Sequence, residues 1–322
     1  MGINILGMGK YLPEQKLKND DFKKFIDTND EWIRTRTGIT ERPMAGWEPT
    51  WYMGRQAALA AIENAGIDPK DIGLVISCTA TSDFHTPSMA SVIQYETGAV
   101  NAGAFDLNAA CTGFVYALDT ARRFLETDEN MKYVLVVANE SLSRFLDFTD
   151  RSSCILFGDG AGAAILRAEE GKPNQFIMRS SGRRMDCLHC DNARQPARIG
   201  EEGFENLTKF NMDGREVFKF AVTEVPKLIR DLSAKFDFAL EDIDWFVLHQ
   251  ANARIIEATS KKLKVSLDKF PMNIMRTGNT SSASIPVLLK EMKDKGQLER
   301  GMKLVFASFG GGLTWDANYI EY

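Results

Sequence analysis

The chain has 322 residues, 44% of them hydrophobic and 26% charged, and its 39 basic against 44 acidic side chains leave a net charge of −5. Those proportions exclude a disordered or fibrous chain, and the length favours two globular units or one large double domain. The acidic total excludes an overall electrostatic footing on nucleic acid, so an anionic partner must meet a local basic patch. Five cysteines (Cys78, Cys111, Cys154, Cys187 and Cys190) are too few and too scattered for a disulfide scaffold and fit a reducing compartment. The opening Met-Gly-Ile-Asn-Ile-Leu is strand-like rather than a signal peptide, and Leu6 stands where a myristoylation motif wants Ser or Thr. No apolar run approaches the ~18 residues of a membrane helix, so a cytoplasmic chain is expected.

In chain order, residues 54–66 place apolar side chains at helical spacing, and 71–76 read as a buried strand. Residues 103–108 are strand-like and lead through Ala109-Ala110-Cys111 into an amphipathic helix ending near residue 125; a further strand covers 133–138. The run FGDGAGAAIL (157–166) invites a phosphate-loop reading, but no strand–GxGxxG–helix context surrounds it. A glycine-bent antiparallel crossing is expected there instead. Residues 217–235 repeat the helical pattern, followed by a strand over 245–248, a basic helix over 253–264, an amphipathic helix over 287–295 and a strand over 303–307. Helix, short loop, Asp-Ile and apolar strand occur in both halves. The pattern predicts a duplicated α/β chain with mostly parallel sheets covered on both faces, divided into 1–170 and 171–322.

Three segments carry chemistry. Cys111 sits on a strand-to-helix turn, where the helix N-terminus favours thiolate over thiol and small neighbours admit a substrate; the alternative is a buried structural cysteine. His249 directly follows an apolar strand, at the end where α/β sheets open ligand crevices. In GNTSSASIP (278–286), Asn279 is either a turn residue or an amide donor to a developing oxyanion, and Ser282 or Ser284 is placed to cap the following helix. Gly310-Gly311-Gly312 expose backbone N–H groups beside a strand end. A cysteine nucleophile with a histidine, a carboxamide and backbone donors describes thioester chemistry with enolate stabilisation.

At this point the sequence resembles the β-ketoacyl-acyl-carrier-protein synthase III family of the thiolase superfamily. The resemblance is carried by DEWIRTRTGITER (30–42), NAACTGF (108–114), TDRSSCILFGDGAGA (149–163), REVFKFAVTE (215–224), LHQANARI (248–255), GNTSSASIP (278–286) and FGGGLTW (309–315). It implies a five-layered α-β-α-β-α thiolase-like fold, Cys111 as acyl-accepting nucleophile, and His249 with Asn279 as the decarboxylation pair. It further implies an oxyanion hole at the N–H groups of Cys111 and Gly311, and coenzyme A contacts at Trp32, Arg36 and Arg151. Lys219, Arg254, Lys261 and Lys262 match the family's docking surface for acyl carrier protein. Thr86 matches a position that reaches the partner's acyl pocket across a homodimer, where a residue smaller than an aromatic leaves room for longer or branched starters. The implied reaction is a ping-pong decarboxylating condensation that initiates fatty acid synthesis, without metal or other cofactor, on acyl-coenzyme A and malonyl-acyl-carrier protein.

The same residues weigh against relatives. A degradative thiolase wants a second cysteine near the C-terminal glycines, where Ser308-Phe309 stand, and elongating synthases use two histidines where this chain has His249 and Asn279. A sister enzyme with the same triad, using another acyl thioester or acceptor or omitting decarboxylation, is the alternative. The stretch 183–210, containing Cys187-Leu188-His189-Cys190, follows no motif of the family and falls where an entrance region varies. As a zinc or redox site, Cys187-x-x-Cys190 lacks a second ligand pair and a helix start. Trp47 and Trp51 occupy a stretch more often polar, and Asp316 replaces a usual glycine, altering only the final turn on this reading.

Overall fold

The computed structural model describes residues 2–171, 174–191 and 209–322. The strands run β1 (Gly2–Tyr11), β2 (Lys16–Lys18), β3 (Glu41–Pro43), β4 (Ile72–Cys78), β5 (Gly103–Leu107), β6 (Tyr133–Glu140), β7 (Gly160–Glu169), β8 (Asn174–Ser180), β9 (Leu188–Cys190), β10 (Phe210–Met212), β11 (Trp245–Leu248), β12 (Lys303–Gly310) and β13 (Thr314–Glu321). The helices are α1 (Asp30–Thr37), α2 (Thr50–Ala65), α3 (Met89–Thr97), α4 (Gly113–Thr127), α5 (Gly214–Phe236), α6 (Ala253–Leu263), α7 (Ile274–Thr277) and α8 (Ser284–Asp294).

β1, β7, β6, β4 and β5 form one sheet in that spatial order, and β11, β12, β13 and β8 form a second. Strand pairing repeats between them. β1 is antiparallel to β7, β7 antiparallel to β6, and β6 parallel to β4; β8, β13, β12 and β11 reproduce those three senses in order. Among the described residues β5 has no counterpart in the second sheet, and its outer edge is unpaired.

The cores give the layering. Buried side chains of α2 and α3, including Met53, Ala57, Ala61 and Ile93, pack on one face of the first sheet. α4 and α8 lie between the two sheets, contributing Phe114, Leu118, Leu288 and Met292 to a core that also takes Ile76, Val136, Leu304 and Phe306. Ala221, Leu228, Ile229 and Ile256 of α5 and α6 cover the far face of the second sheet. The result is five layers, α-β-α-β-α. Strands buried on both faces need continuous apolar runs, which is why Tyr133–Glu140 shows no polar–apolar alternation until its end.

The glycine-rich run at 157–166 is a strand crossing, as its lack of a following helix predicted. β7 lies antiparallel between β1 and β6, and a Cβ at Gly162 would come within 2.8 Å of Pro286 and of the Val287 amide. Only glycine lets α8 lie this close to the sheet. Cys187 closes the 3-10 helix Gly182–Cys187 and Cys190 ends the three-residue strand β9, which pairs antiparallel with β10; both thiols are free. Three extended residues span about 10 Å, beyond disulfide reach. Among the described residues no cluster of three or more His, Cys, Asp or Glu is placed to hold a metal, and no helix is long and apolar enough to cross a membrane.

Candidate active site

Cys111 occupies a one-turn 3-10 helix (Ala110–Thr112) that runs directly into α4. Ala110 takes a left-handed backbone with φ +48°, supported by its N–H donating to Asn108 Oδ1 at 3.2 Å. Thr112 Oγ1 donates to the Ala109 carbonyl at 2.6 Å and lies 3.0 Å from Thr314 Oγ1, tying the turn to the β12–β13 hairpin. Gly310 ends β12 against this turn: a Cβ there would sit 2.7 Å from the Cys111 nitrogen. Gly310→Ala is expected to displace the Cys111 thiol and to destabilise the fold by about 1–3 kcal/mol, read from the rate of thiol alkylation and from thermal melts.

His249 follows β11, and its N–H donates to the Ala307 carbonyl at 2.9 Å. Its ring is buried at 3% exposure, and burial alone pushes its pKa down to about 3, so the imidazole is neutral at working pH. Nδ1 lies 2.7 Å from Ser284 Oγ, which also accepts from the Gln250 N–H at 3.4 Å. The serine hydroxyl can donate to Nδ1 while accepting from that amide, which is the tautomer with the ring proton on Nε2. Nε2–H is then left as a donor. Phe309 packs edge-on to the ring at 5.5 Å.

Asn279 is clamped by its backbone: its N–H donates to the Leu156 carbonyl at 2.9 Å, and its carbonyl accepts from Gly158 N–H at 3.0 Å. Oδ1 accepts from the Ser281 N–H at 2.8 Å, which fixes the amide orientation and frees Nδ2 to donate. The buried Arg42 guanidinium donates to the Ile155 carbonyl at 2.7 Å and to Asn19 Oδ1 at 2.9 Å, stiffening the Leu156 side of that clamp. The motif at 30–42 thus acts partly through the fold.

Cys111, His249 and Asn279 line one cleft of about 460 Å³ with Phe157, Leu188, Phe210 and Met212. Trp32 and the guanidinium-bearing Arg36, Arg151, Arg215 and Arg254 line it as well, four of them residues to which the family resemblance gives coenzyme A or carrier contacts. Arg36 and Arg151 stack on Trp32 with guanidinium carbons 5.2 and 4.7 Å from the ring centre, and Arg254 stacks on Phe218 at 5.4 Å. Arg215 and Phe218 were not singled out in the sequence; both fall in REVFKFAVTE. Gly311 adjoins the site: a Cβ there would lie 3.6 Å from Ala110 Cβ. The Gly311 N–H has no partner among the described residues, and the Cys111 N–H meets its own thiol.

Not every expected residue lies in the cleft. Thr86 is on the exposed loop before α3, and Lys219, Lys261 and Lys262 are exposed outside the lining. Of the stretch 183–210 that followed no motif, Leu188 and Phe210 form part of the cleft wall, while residues 192–208 lie outside the described residues.

Three expectations need correction. Ser282 and Ser284 cap no helix: α8 starts at Ser284 after an uncapped Ala283, Ser284 serves His249, and Ser282 Oγ donates to Glu140 Oε1 at 2.7 Å. The helix terminus does not hold Cys111 as a resting thiolate; burial pushes the thiol up to about 12, outweighing the Ser281 hydroxyl and its own amide, which lower it. Asp316 does more than alter a turn, because it accepts from both the N–H and Oγ of Ser308 at 3.0 and 2.7 Å inside the second sheet.

Residues 105–182 match the family described as 3-oxoacyl-[acyl-carrier-protein (ACP)] synthase III, and residues 234–322 match its C-terminal counterpart. The chain is 46% identical over 323 residues to the beta-ketoacyl-[acyl-carrier-protein] synthase III of Clostridium acetobutylicum, covering 99% of this chain and 98% of the relative. The crystal structure of 3-oxoacyl-[acyl-carrier-protein] synthase III from Aquifex aeolicus VF5 superposes with a TM-score of 0.92 at 40% identity, covering 100% of both chains. That of the Pseudomonas aeruginosa PAO1 enzyme gives 0.91 at 34% identity, covering 100% of this chain and 98% of that one. The chain therefore belongs to the 3-oxoacyl-[acyl-carrier-protein] synthase III family.

Proposed function

We propose that this protein condenses an acyl-coenzyme A starter with malonyl-acyl-carrier protein, releasing carbon dioxide and a 3-oxoacyl-acyl-carrier protein, as the initiating step of fatty acid synthesis. The observation that supports this reading best is the convergence of a thiol, a neutral imidazole and a free carboxamide on one cleft edged by arginines. Cys111 Sγ attacks the acyl carbonyl, and the N–H groups of Cys111 and Gly311 donate to the tetrahedral oxyanion. Coenzyme A leaves. Malonyl thioester then binds with its carbonyl oxygen facing His249 Nε2–H and Asn279 Nδ2–H, which stabilise the enolate as carbon dioxide departs. The carbanion attacks the acyl-cysteine, and the thiolate leaves. The thioester carbonyl, β to the departing carboxylate, is the electron sink, so the two substrates supply the electrons and no other cofactor takes part.

Trp32, Arg36 and Arg151 hold the coenzyme A nucleotide: an indole face and flat cations suit a base, and guanidinium forks suit phosphates. Arg151→Ala is expected to raise KM for acyl-coenzyme A about tenfold with little change in kcat, and to leave transfer from an acyl-pantetheine unchanged, as steady-state kinetics on the two donors will read. Lys219, Arg254, Lys261 and Lys262 offer a basic surface to the acidic carrier protein on an otherwise acidic chain. A homodimer in the cytoplasm completes the reading, with the 1–170 half supplying Cys111 and the 171–322 half supplying His249 and Asn279. The unpaired edge of β5 and the exposed Phe84, Tyr95, Val100 and Phe124 on segments flanking it favour a second copy there. Thr86, beside Phe84, would then face the partner's acyl pocket.

Carbon dioxide release and 3-oxoacyl-carrier mass, followed together with acetyl-coenzyme A and malonyl-acyl-carrier protein, test the reaction. Stoichiometric appearance of both is expected; an acyl-enzyme that forms without carbon dioxide release would make this a simple acyltransferase.

A further inference from the structure

Glu140 ends β6 beneath the floor of the cleft, fully buried, and no cation pairs with it among the described residues. An isolated buried carboxylate is costly, and here its compensation is a shell of hydroxyls and one amide. Oε1 lies 3.0 Å from Ser281 Oγ and 2.7 Å from Ser282 Oγ; Oε2 accepts from Thr81 Oγ1 at 2.8 Å and from the Ala80 N–H at 3.1 Å. The two serines on Oε1 each have a second acceptor. Ser281 Oγ is 3.3 Å from Cys111 Sγ, and Ser282 Oγ is 3.2 Å from the Cys78 carbonyl. Each hydroxyl owns one proton, so it serves one acceptor at a time.

The shell is therefore satisfied in two protonation states. With Glu140 ionised, both serines donate to Oε1. With Oε1 protonated, the acid donates to Ser281 Oγ, Ser281 turns its proton to Cys111 Sγ, and Ser282 turns to the Cys78 carbonyl. Ser281 is also held in a left-handed backbone with φ +51°, a strained placement for a non-glycine residue that sets its hydroxyl between sulfur and carboxylate.

We infer that Glu140, acting through Ser281, takes the Cys111 proton during acylation and returns it to Cys111 when condensation releases the thiolate. As the C–S bond to the acyl carbon forms, the Cys111 proton passes to Ser281 Oγ and the serine proton passes to Glu140 Oε1. When the tetrahedral intermediate collapses, the bond to the coenzyme A sulfur breaks. The coenzyme A thiolate takes a proton from water in the cleft, and the same two hops run backwards when condensation releases the Cys111 thiolate, so the thiol is restored, Glu140 is ionised again and the cycle consumes one proton from solvent. The alternative acceptor, His249, is held neutral as a weak base, with a pKa near 3, whereas burial raises the Glu140 carboxyl above its usual range. The titratable groups facing Glu140 are Cys111 and, on β4, Cys78, both raised chiefly by burial and further by its charge.

This inference rests on Cys111 being the acyl acceptor, and the two fail separately. Absence of any acyl adduct in the wild type removes the nucleophile reading; the relay is read from how the acylation rate depends on pH in Glu140→Gln and Ser281→Ala. The wild type is expected to acylate with a plateau across neutral pH and an acid limb. Glu140→Gln, which keeps the side-chain shape, is expected to lose the plateau, with a rate rising about tenfold per pH unit and about 10²-fold lower near pH 7. Ser281→Ala, which leaves Glu140 in place, is expected to show the same slope, with circular dichroism confirming that each variant folds. A wild-type plateau retained in either folded variant, whether at full height or uniformly lowered, would overturn the relay and leave Glu140 a structural group.

Discussion

Cys111→Ala is expected to abolish the acyl-enzyme and reduce condensation by about 10⁴-fold or more. The size follows from the geometry rather than from the residue type. Ser281 and the oxyanion amides cannot replace the sulfur, because Ser281 Oγ sits behind it, between Sγ and Glu140. The alanine variant keeps the floor of the cleft: the 3-10 turn is held by Asn108, Thr112 and Gly310, none of which touches the thiol for its own support. Its melting temperature is accordingly expected to stay within a few degrees of the wild type, so that lost activity reports lost chemistry.

His249→Ala and Asn279→Ala are expected to divide the reaction the other way. Each removes one donor to the enolate oxygen, so condensation falls about 10²–10³-fold, while acylation of Cys111 stays within several-fold of the wild type, as single-turnover assays of the two half-reactions will read. The pH dependence separates the imidazole from a conventional acid–base histidine. Burial holds the ring neutral down to about pH 3, so condensation from a preloaded acyl-enzyme should show no inflection from His249 between pH 5 and 8. A histidine that shuttled protons as imidazolium would lose activity through the usual range near 6.5. Ser284→Ala is the companion variant. It removes the hydroxyl that sets the Nε2–H tautomer, and is expected to slow condensation but not acylation.

The residues that gave the fold away in the sequence are the ones whose environment is one-dimensional. A strand covered on both faces needs an unbroken apolar run, and Tyr133–Glu140 and Trp245–Leu248 supply it. His249 was legible for the same reason, since it follows such a strand, whereas Cys111 was legible from the turn that joins the half-buried edge strand β5 to α4. Glu140 carries that signal too, as the polar end of an apolar strand, and it was passed over because a lone carboxylate after a strand has no partner nearby in sequence. Its partners Thr81 and Ser281 come from 59 and 141 residues away.

The serines show the limit of local reasoning. Ser282 and Ser284 sit at a helix start, where capping is the local optimum, yet the chain enters α8 straight from the 3-10 turn Ser281–Ala283 and the tertiary partners Glu140 and His249 claim both hydroxyls. The thiol shows a second limit. A helix N-terminus favours a thiolate in water-exposed surroundings, but the turn at Cys111 is closed by the β12–β13 hairpin, and the resulting burial raises the thiol to about 12. Sequence spacing reports which residues meet a helix end, whereas the degree of enclosure is set by segments 200 residues distant.

The whole account turns on a single covalent bond to Cys111. Intact-mass measurement after incubation with acetyl-, isobutyryl- and octanoyl-coenzyme A, followed by peptide mapping, tests it directly. One adduct per chain with the mass of the acyl group, placed on Cys111 and discharged by malonyl-acyl-carrier protein, is the predicted result. An unmodified chain, or an adduct on Cys187 or Cys190 that malonyl-acyl-carrier protein leaves in place, would contradict it.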